Sequence, residues 1–229
     1  MGVVNIVAIE TATPACAVGV RTTAGVEVTR VVDDGRRHTE ALTGALKTLL
    51  DEVGLEPRDV NRVVVDRGPG LFTGLRVGIA TAIAFSEALG CELVGVTSLE
   101  MLAGGAFDSG MRGTLVACVD GRRGEIFVQT FMLEDAVKAL DGARVTTARE
   151  VAATWQTNAT PAAFTGDGVG RYRREFADLP LAVIVDQVVP SVHAGLSLGA
   201  VRSPDETVSP LYLREADAVA NFTTRERPQ

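Results

Sequence analysis

VVNIVAIETATPACAVGVRTTAGVEVTRVV, residues Val3–Val32, is the stretch that decides the fold. Val3 to Glu10 is apolar and rich in β-branched side chains, and Thr11-Ala12-Thr13-Pro14 breaks it. Ala15 to Arg21 and Val26 to Val32 read as two more strands, separated by a turn at Ala24-Gly25. Three consecutive strands of this kind predict a meander. Downstream, Leu42, Leu46, Leu49 and Val53 recur at helical spacing, so Thr39 to Val53 is expected to be a helix stopped by Gly54. Asn61 to Asp66 (NRVVVD) reads as a short buried strand, Thr73 to Leu89 as a helix, Leu93 to Val96 as a strand and Ser98 to Ala106 as a helix. The order β-β-β-α-β-α-β-α predicts an α/β domain with a mixed sheet.

Gly104-Gly105, with Asp108-Ser109-Gly110 close behind, reads as a linker, after which the strand pattern restarts. Thr114 to Asp120 and Glu125 to Leu133 are strands joined across Gly121 to Gly124, followed by strands at Ala162–Thr165 and Val183–Val185 and a helix at Ser191–Val201. The expected division is a first lobe at 1–103, a second, smaller and degenerate lobe at 104–213, and a flexible charged tail at 214–229. Apolar residues make up 46% and charged residues 22% of the 229, an ordinary balance for a soluble globular protein. Aromatics are 5%, so the cores must be built from Val, Leu, Ile and Ala. A net charge of −7 argues against a stand-alone nucleic-acid binder, while leaving room for a local basic patch. No uninterrupted apolar run reaches the length of a membrane span, and MGVVNIVAIE lacks the basic start of a signal peptide. Cys16, Cys91 and Cys118 form no CxxC pair and sit among apolar residues, as buried small hydrophobes do. The expected location is the cytoplasm, with no membrane association.

The strongest local signal is GPGLFTGLRVG, Gly68 to Gly78, which follows a predicted strand and opens a helix. Gly68 and Gly70 around Pro69 allow a sharp turn, and Thr73 is placed to cap the helix. Glycines before a helix start suit an anion, but the P-loop lysine and the dinucleotide fingerprint are both absent, so a structural turn is the competing reading. Within the helix, Gly74, Gly78, Ala82 and Ser86 form one row of small residues, and Ala80, Ala84 and Ala88 form another. The first row either packs on the sheet or receives a neighbouring helix; with Leu75, Ile79 and Ile83 assigned to the sheet, it is left for a neighbour. Arg122-Arg123 at the predicted hairpin either binds phosphate or a carboxylate, or is simply a solvated turn. His38 and His193 are the two histidines, they fall in different lobes, and no metal site built on imidazoles is expected.

The strand–helix order resembles the ribonuclease-H-like lobe of the actin, Hsp70 and sugar-kinase (ASKHA) superfamily. IVAIETATPACAVGV, RRHTEAL, DVNRVVVDRGPGLFTGLRVGIATAIAFSEALG, ELVGVTSLEMLA, CVDGRRGEIF and PLYLR resemble, in order, the TsaB (YeaZ) family. The resemblance implies a subunit of the machine that makes N6-threonylcarbamoyladenosine (t6A) in tRNAs reading ANN codons. A TsaD-type paralogue would carry the transfer chemistry and a TsaE-type ATPase would assist. The chain would pair with the paralogue through its first-lobe helices, self-associate when alone, and meet tRNA only through the complex. On that reading His38, Leu42, Leu46, Leu49, Gly74, Arg76, Gly78 and Ala82 form the partner interface. Gly68, Pro69, Gly70 and Thr73 form the structural turn, and Thr11, Thr13, Arg122 and Arg123 are candidate anion contacts. No intrinsic cofactor is expected, with ATP or ADP placed at the joint with the partner. The catalytic paralogues carry an HxxxH metal pair where this chain has Ser98 and Leu102, so no metal and no catalytic residue are expected here. The family pattern also has Asp where Glu10 stands, and an apolar pair where Asp66-Arg67 stands. The competing function is an ATP-binding small-molecule kinase or an M22-type peptidase of the same fold.

Overall fold

A computed structural model describes the backbone of residues 4–32 and 38–214, and the same side chains except those of 38–40. The expected meander is β1 (Ile6–Glu10), β2 (Cys16–Arg21) and β3 (Glu27–Val32). After α1 (His38–Glu52) come β4 (Arg62–Asp66), α2 (Phe72–Leu89), β5 (Glu92–Val96) and α3 (Ser98–Asp108). The order in the first sheet is β3-β2-β1-β4-β5, antiparallel across the meander and parallel from β1 to β5.

The second sheet repeats this plan. It contains β6 (Gly113–Arg122), β7 (Glu125–Leu133), β8 (Val137–Ala139), β9 (Arg144–Thr147), β10 (Ala162–Thr165) and β11 (Ala182–Val185). Its order is β11-β10-β6-β7-β8, with β9 also paired to β7. Again an antiparallel meander leads into two parallel strands. The fold is thus two ribonuclease-H-like lobes of the ASKHA type. The second lobe is not smaller in its sheet, which has six strands against five among the described residues. Its reduction lies in the helices: α4 (Ala148–Gln156), α5 (Asp167–Arg171) and α6 (Arg173–Phe176) have 9, 5 and 4 residues, against 15 and 18 in α1 and α2. Sequence reading had no helix at Ala148–Gln156, although Thr147 and Glu150 form a reciprocal capping box at its start.

The division at 104 needs correction. Gly104 and Gly105 are not a linker but the middle of α3, where a Cβ on Gly104 would stand 2.6 Å from the Ala194 methyl. Ala194 belongs to α7 (Val192–Val201), which crosses α3 and covers the far face of the first sheet. Val192 and Leu196 share a core with Ile6, Ala8, Ala17, Val64, Val94 and Val96. The chain therefore returns to the first lobe after building the second. Segment 215–229 lies outside the described residues, as does the side chain of His38.

α1 and α2 cover the other face. Leu42, Leu46 and Leu49 are buried with Val7, Val18, Val20 and Val63, so they are core and not partner interface. Their helical spacing is the stripe a helix presents to its own sheet. α2 is by length and composition apolar enough to cross a bilayer; in this fold it rests on the sheet through Gly74, Leu75, Gly78, Ile79 and Ala82.

Candidate functional site

The GPG turn is held from three sides. Gly68 has φ +99°, a conformation glycine adopts without strain, and its N–H donates to Asp66 Oδ1 at 2.7 Å. The Gly68–Pro69 peptide is cis. A Cβ on Gly70 would overlap the Ala12 carbonyl oxygen, which accepts the Leu71 N–H at 2.7 Å. Ser98 Oγ lies 2.8 Å from Asp66 Oδ1 and 2.9 Å from the Pro69 carbonyl. Gly68, Pro69 and Gly70 thus form a turn fixed by Asp66, Ala12 and Ser98. Thr73 is not its cap: α2 starts at Phe72, its N-cap is Leu71, and Thr73 faces the cleft. Asp66 does not put charge on the surface; it is fully buried beneath the turn, and burial pushes its carboxyl up to about 7.

The β1–β2 turn is closed to anions. Glu10 is fully buried, and its Oε1 accepts the N–H groups of Ala12 and Thr13 at 2.6 and 3.1 Å. Its own carboxylate thus sits where a bound phosphate would draw those amides. Burial, and then the Asp66 carboxylate, raise the Glu10 pKa well above the usual range. Thr11 and Thr13 are buried, so they are not anion contacts; Thr11 Oγ1 instead donates to the Gly74 carbonyl at 2.9 Å. A nucleotide phosphate chain does not fit this turn.

Gly74, Gly78 and Ala82 are a further correction. All three are buried, and a Cβ on Gly78 would overlap Thr11 Oγ1. The small row lets α2 settle on β1 and its turn. The exposed face carries Arg76, Ala80, Ala84, Glu87 and Ala88, so of the described expected interface positions only Arg76 is on the surface. The positions matched to the HxxxH pair are closed as well, since Ser98 bonds under the turn and Leu102 is core.

Between the lobes lies a cavity of about 420 Å³, bounded by Phe72, Thr73 and Gly74 on one side and by Arg122, Arg123, Phe127 and Arg214 on the other. Arg122 pairs with Glu125 across the β6–β7 hairpin, leaving Arg123-Gly124 at its tip. Their φ values of 54° and 89° suit the type I′ turn that two-residue hairpins favour. Asp120 is buried at the root of the hairpin, accepts the Arg122 N–H at 2.9 Å, and pairs with Arg122 at 3.0 Å and Arg171 at 3.4 Å. Arg214 reaches Glu125 at 2.7 Å and the Gly121 carbonyl at 3.3 Å. Of the four expected anion contacts, Arg122 and Arg123 meet at the cleft. Phe72, Tyr212 and Arg214 are not among the expected site residues; the last two lie in the PLYLR segment.

A family model described as TsaD: tRNA N6-adenosine threonylcarbamoyltransferase matches residues 33–166. The tRNA threonylcarbamoyladenosine biosynthesis protein TsaB of Escherichia coli K12 is 36% identical over 125 residues, 54% of this chain and 53% of that protein. A Mycobacterium tuberculosis H37Rv protein is 39% identical over 125 residues, 54% of this chain and 57% of its own. The solved structure of YeaZ from Pseudomonas aeruginosa superposes with a TM-score of 0.81 at 26% identity, covering 92% of this chain and all of that one. The chain belongs to the TsaD family of the model, in its TsaB (YeaZ) branch. It spans about half the length of the curated relatives it matches. For a TsaB-family chain the closed β1–β2 turn and the two filled HxxxH positions share one physical character. Each is completed by the chain's own side chains.

Proposed function

We propose that this chain is a non-catalytic, activating subunit in tRNA t6A biosynthesis, pairing with a TsaD-type paralogue that holds the active site. The observation that carries it is Glu10: its carboxylate satisfies the amides a phosphate would need, so the first lobe works as a folded surface. The pairing surface is the exposed face of α1 and α2, carrying Gly44, Lys47 and Thr48 on the first helix and Arg76, Ala80, Ala84 and Ala88 on the second. Small side chains there let another helix approach closely. The same face serves self-association when the partner is absent. A TsaE-type ATPase joins the assembly, any ATP or ADP is held at the joint with the partner, and the isolated chain turns over neither ATP nor peptide. The complex works in the cytoplasm.

The test is a t6A assay with the purified paralogue, its ATPase and unmodified tRNA, with and without this chain. Modification is expected to depend on the chain. Ala84→Trp is expected to abolish co-purification with the paralogue at an unchanged melting temperature. Full modification without the chain would overturn the reading.

A further inference from the structure

Residues 203–214 form neither helix nor strand, yet they cross from one lobe to the other with anchors on both. On the first lobe, the Asp205 N–H donates to the Leu93 carbonyl at 2.8 Å, and the Asp205 carboxylate accepts the Gly95 N–H at the same distance. Val208 is buried in the core that α1 and α2 close over the first sheet, and the Leu211 N–H donates to the Arg67 carbonyl at 2.7 Å. Tyr212 then stacks on Phe72 at the start of α2, with centroids 5.3 Å apart and planes at 29°. On the second lobe, Leu213 packs against the core that includes Val119, Phe127 and Phe131. Arg214 holds the Gly121 carbonyl at 3.3 Å and Glu125 at 2.7 Å, one on each strand of the β6–β7 hairpin.

The first-lobe end of this segment is tied to the pairing face. The Arg76 guanidinium lies 3.8 Å over the Phe72 ring, and its Nε reaches Tyr212 Oη at 3.4 Å. Arg76 stands on the exposed side of α2 assigned above to the paralogue. From Tyr212 to Arg214 there is at most about 7 Å of chain, so the link has no slack that could hide a shift of one anchor from the other. A helix laid across α2 takes water away from the Arg76–Phe72–Tyr212 stack, and a cation on a ring is worth more desolvated than exposed. We propose that residues 203–214 are a strap through which occupancy of the α2 face tightens the β6–β7 hairpin at the cleft. The inference takes its ligand, the paralogue, from the pairing reading; the strap itself is a property of this chain. The cleft wall formed by the hairpin is firmly set only when the partner is in place.

Amide hydrogen exchange reads such local tightening, with the full chain measured alone and in complex with the TsaD-type paralogue. Pairing is expected to slow exchange in residues 119–128 by about five-fold. Arg214→Ala removes a half-exposed contact, so the chain should still fold, pair and protect α2, while the slowing in 119–128 disappears. α4 packs in a separate core with Val116 and Phe164, and its exchange should not move. In the isolated chain, Arg76→Ala should speed exchange in 119–128 by about two- to five-fold, the worth of an exposed cation on a ring. Combined with Arg214→Ala it should add nothing, because the second change has already cut the link. Hairpin exchange indifferent to pairing in the parent, slowing that survives Arg214→Ala, or slowing that extends equally to α4 would overturn the strap. So would strictly additive effects of the two substitutions. A chain that ignores the paralogue while the isolated-chain variants are non-additive defeats the pairing reading and leaves the strap standing.

Discussion

Replacing Gly78 with alanine separates two accounts of α2. On an exposed helix face the change would stabilise by about 1 kcal/mol, the difference in helix propensity between the two residues. In this structure the new methyl overlaps Thr11 Oγ1 and stands 3.4 Å from Thr11 Cβ. Thr11 is buried and donates to the Gly74 carbonyl at 2.9 Å, so it has no solvent to turn into. Rotating it away leaves a buried hydroxyl unpaired, at about 1–3 kcal/mol. Forcing α2 off β1 instead overpacks the core by a similar amount, about 1–3 kcal/mol. Against the propensity gain, the net expectation is a loss of up to about 2 kcal/mol, read by urea denaturation. Thr11→Ala removes the obstructing oxygen, so the double variant should recover at least about 1 kcal/mol of coupling, as residues in contact do. A Gly78→Ala chain more stable than the parent by about 1 kcal/mol, or additive single changes, would refute the packing described for this face. It would also restore the small row to the role of a docking ridge.

Two further outcomes follow from buried polar groups. Burial raises the Asp66 carboxyl from 3.8 to about 7, so the folded chain holds this proton more tightly than the unfolded one. The stability it contributes is complete below about pH 4 and is lost as the pH climbs through about 7. Asp66→Asn, which keeps an acceptor for the Gly68 N–H, should flatten the fall in stability across that window; parallel pH profiles from chemical denaturation would contradict this. Thr97 Oγ1 accepts the Glu100 N–H at 3.1 Å, while Glu100 accepts the Thr97 N–H at 2.9 Å and pairs with Arg202 beyond α7. Thr97→Ala should cost about 1 kcal/mol, the usual worth of such a cap. For a chain of this size that is about 2–4 °C in melting temperature, and an unmoved transition would show that the Arg202 pair alone holds this end of α3.

The strands of the first sheet were legible because β-branched runs bounded by turn residues have few alternatives, and the bounds of β10 were read without error. The helices were legible as helices but not as faces. Two small rows run along α2, and composition does not say which one meets the sheet; Thr11 decides it, from 63 residues earlier in the chain. The same limit made interface candidates of Leu42, Leu46 and Leu49, whose spacing is also that of an ordinary core stripe. Gly104-Gly105 read as a linker because glycine weakens a helix locally. Its use is to let α7 approach, and that contact depends on residues about 90 positions away. The closed β1–β2 turn was half visible: Glu10 stood out against the family pattern, while the N–H groups that the loop donates to Glu10 required coordinates.

α7 bears on how the chain can come to be folded. A sheet begun at Ile6 has its second face covered by a helix that starts at Val192, with the whole second lobe in between. During synthesis Ile6, Ala8, Val64 and Val94 must wait, uncovered, until the second lobe and α7 have been made. Contacts of such long sequence separation slow folding and leave apolar surface open to wrong partners in the meantime. The two lobes are therefore not modules that can be expressed or exchanged separately. Cutting before Val192 would strip the first lobe of one wall of its core.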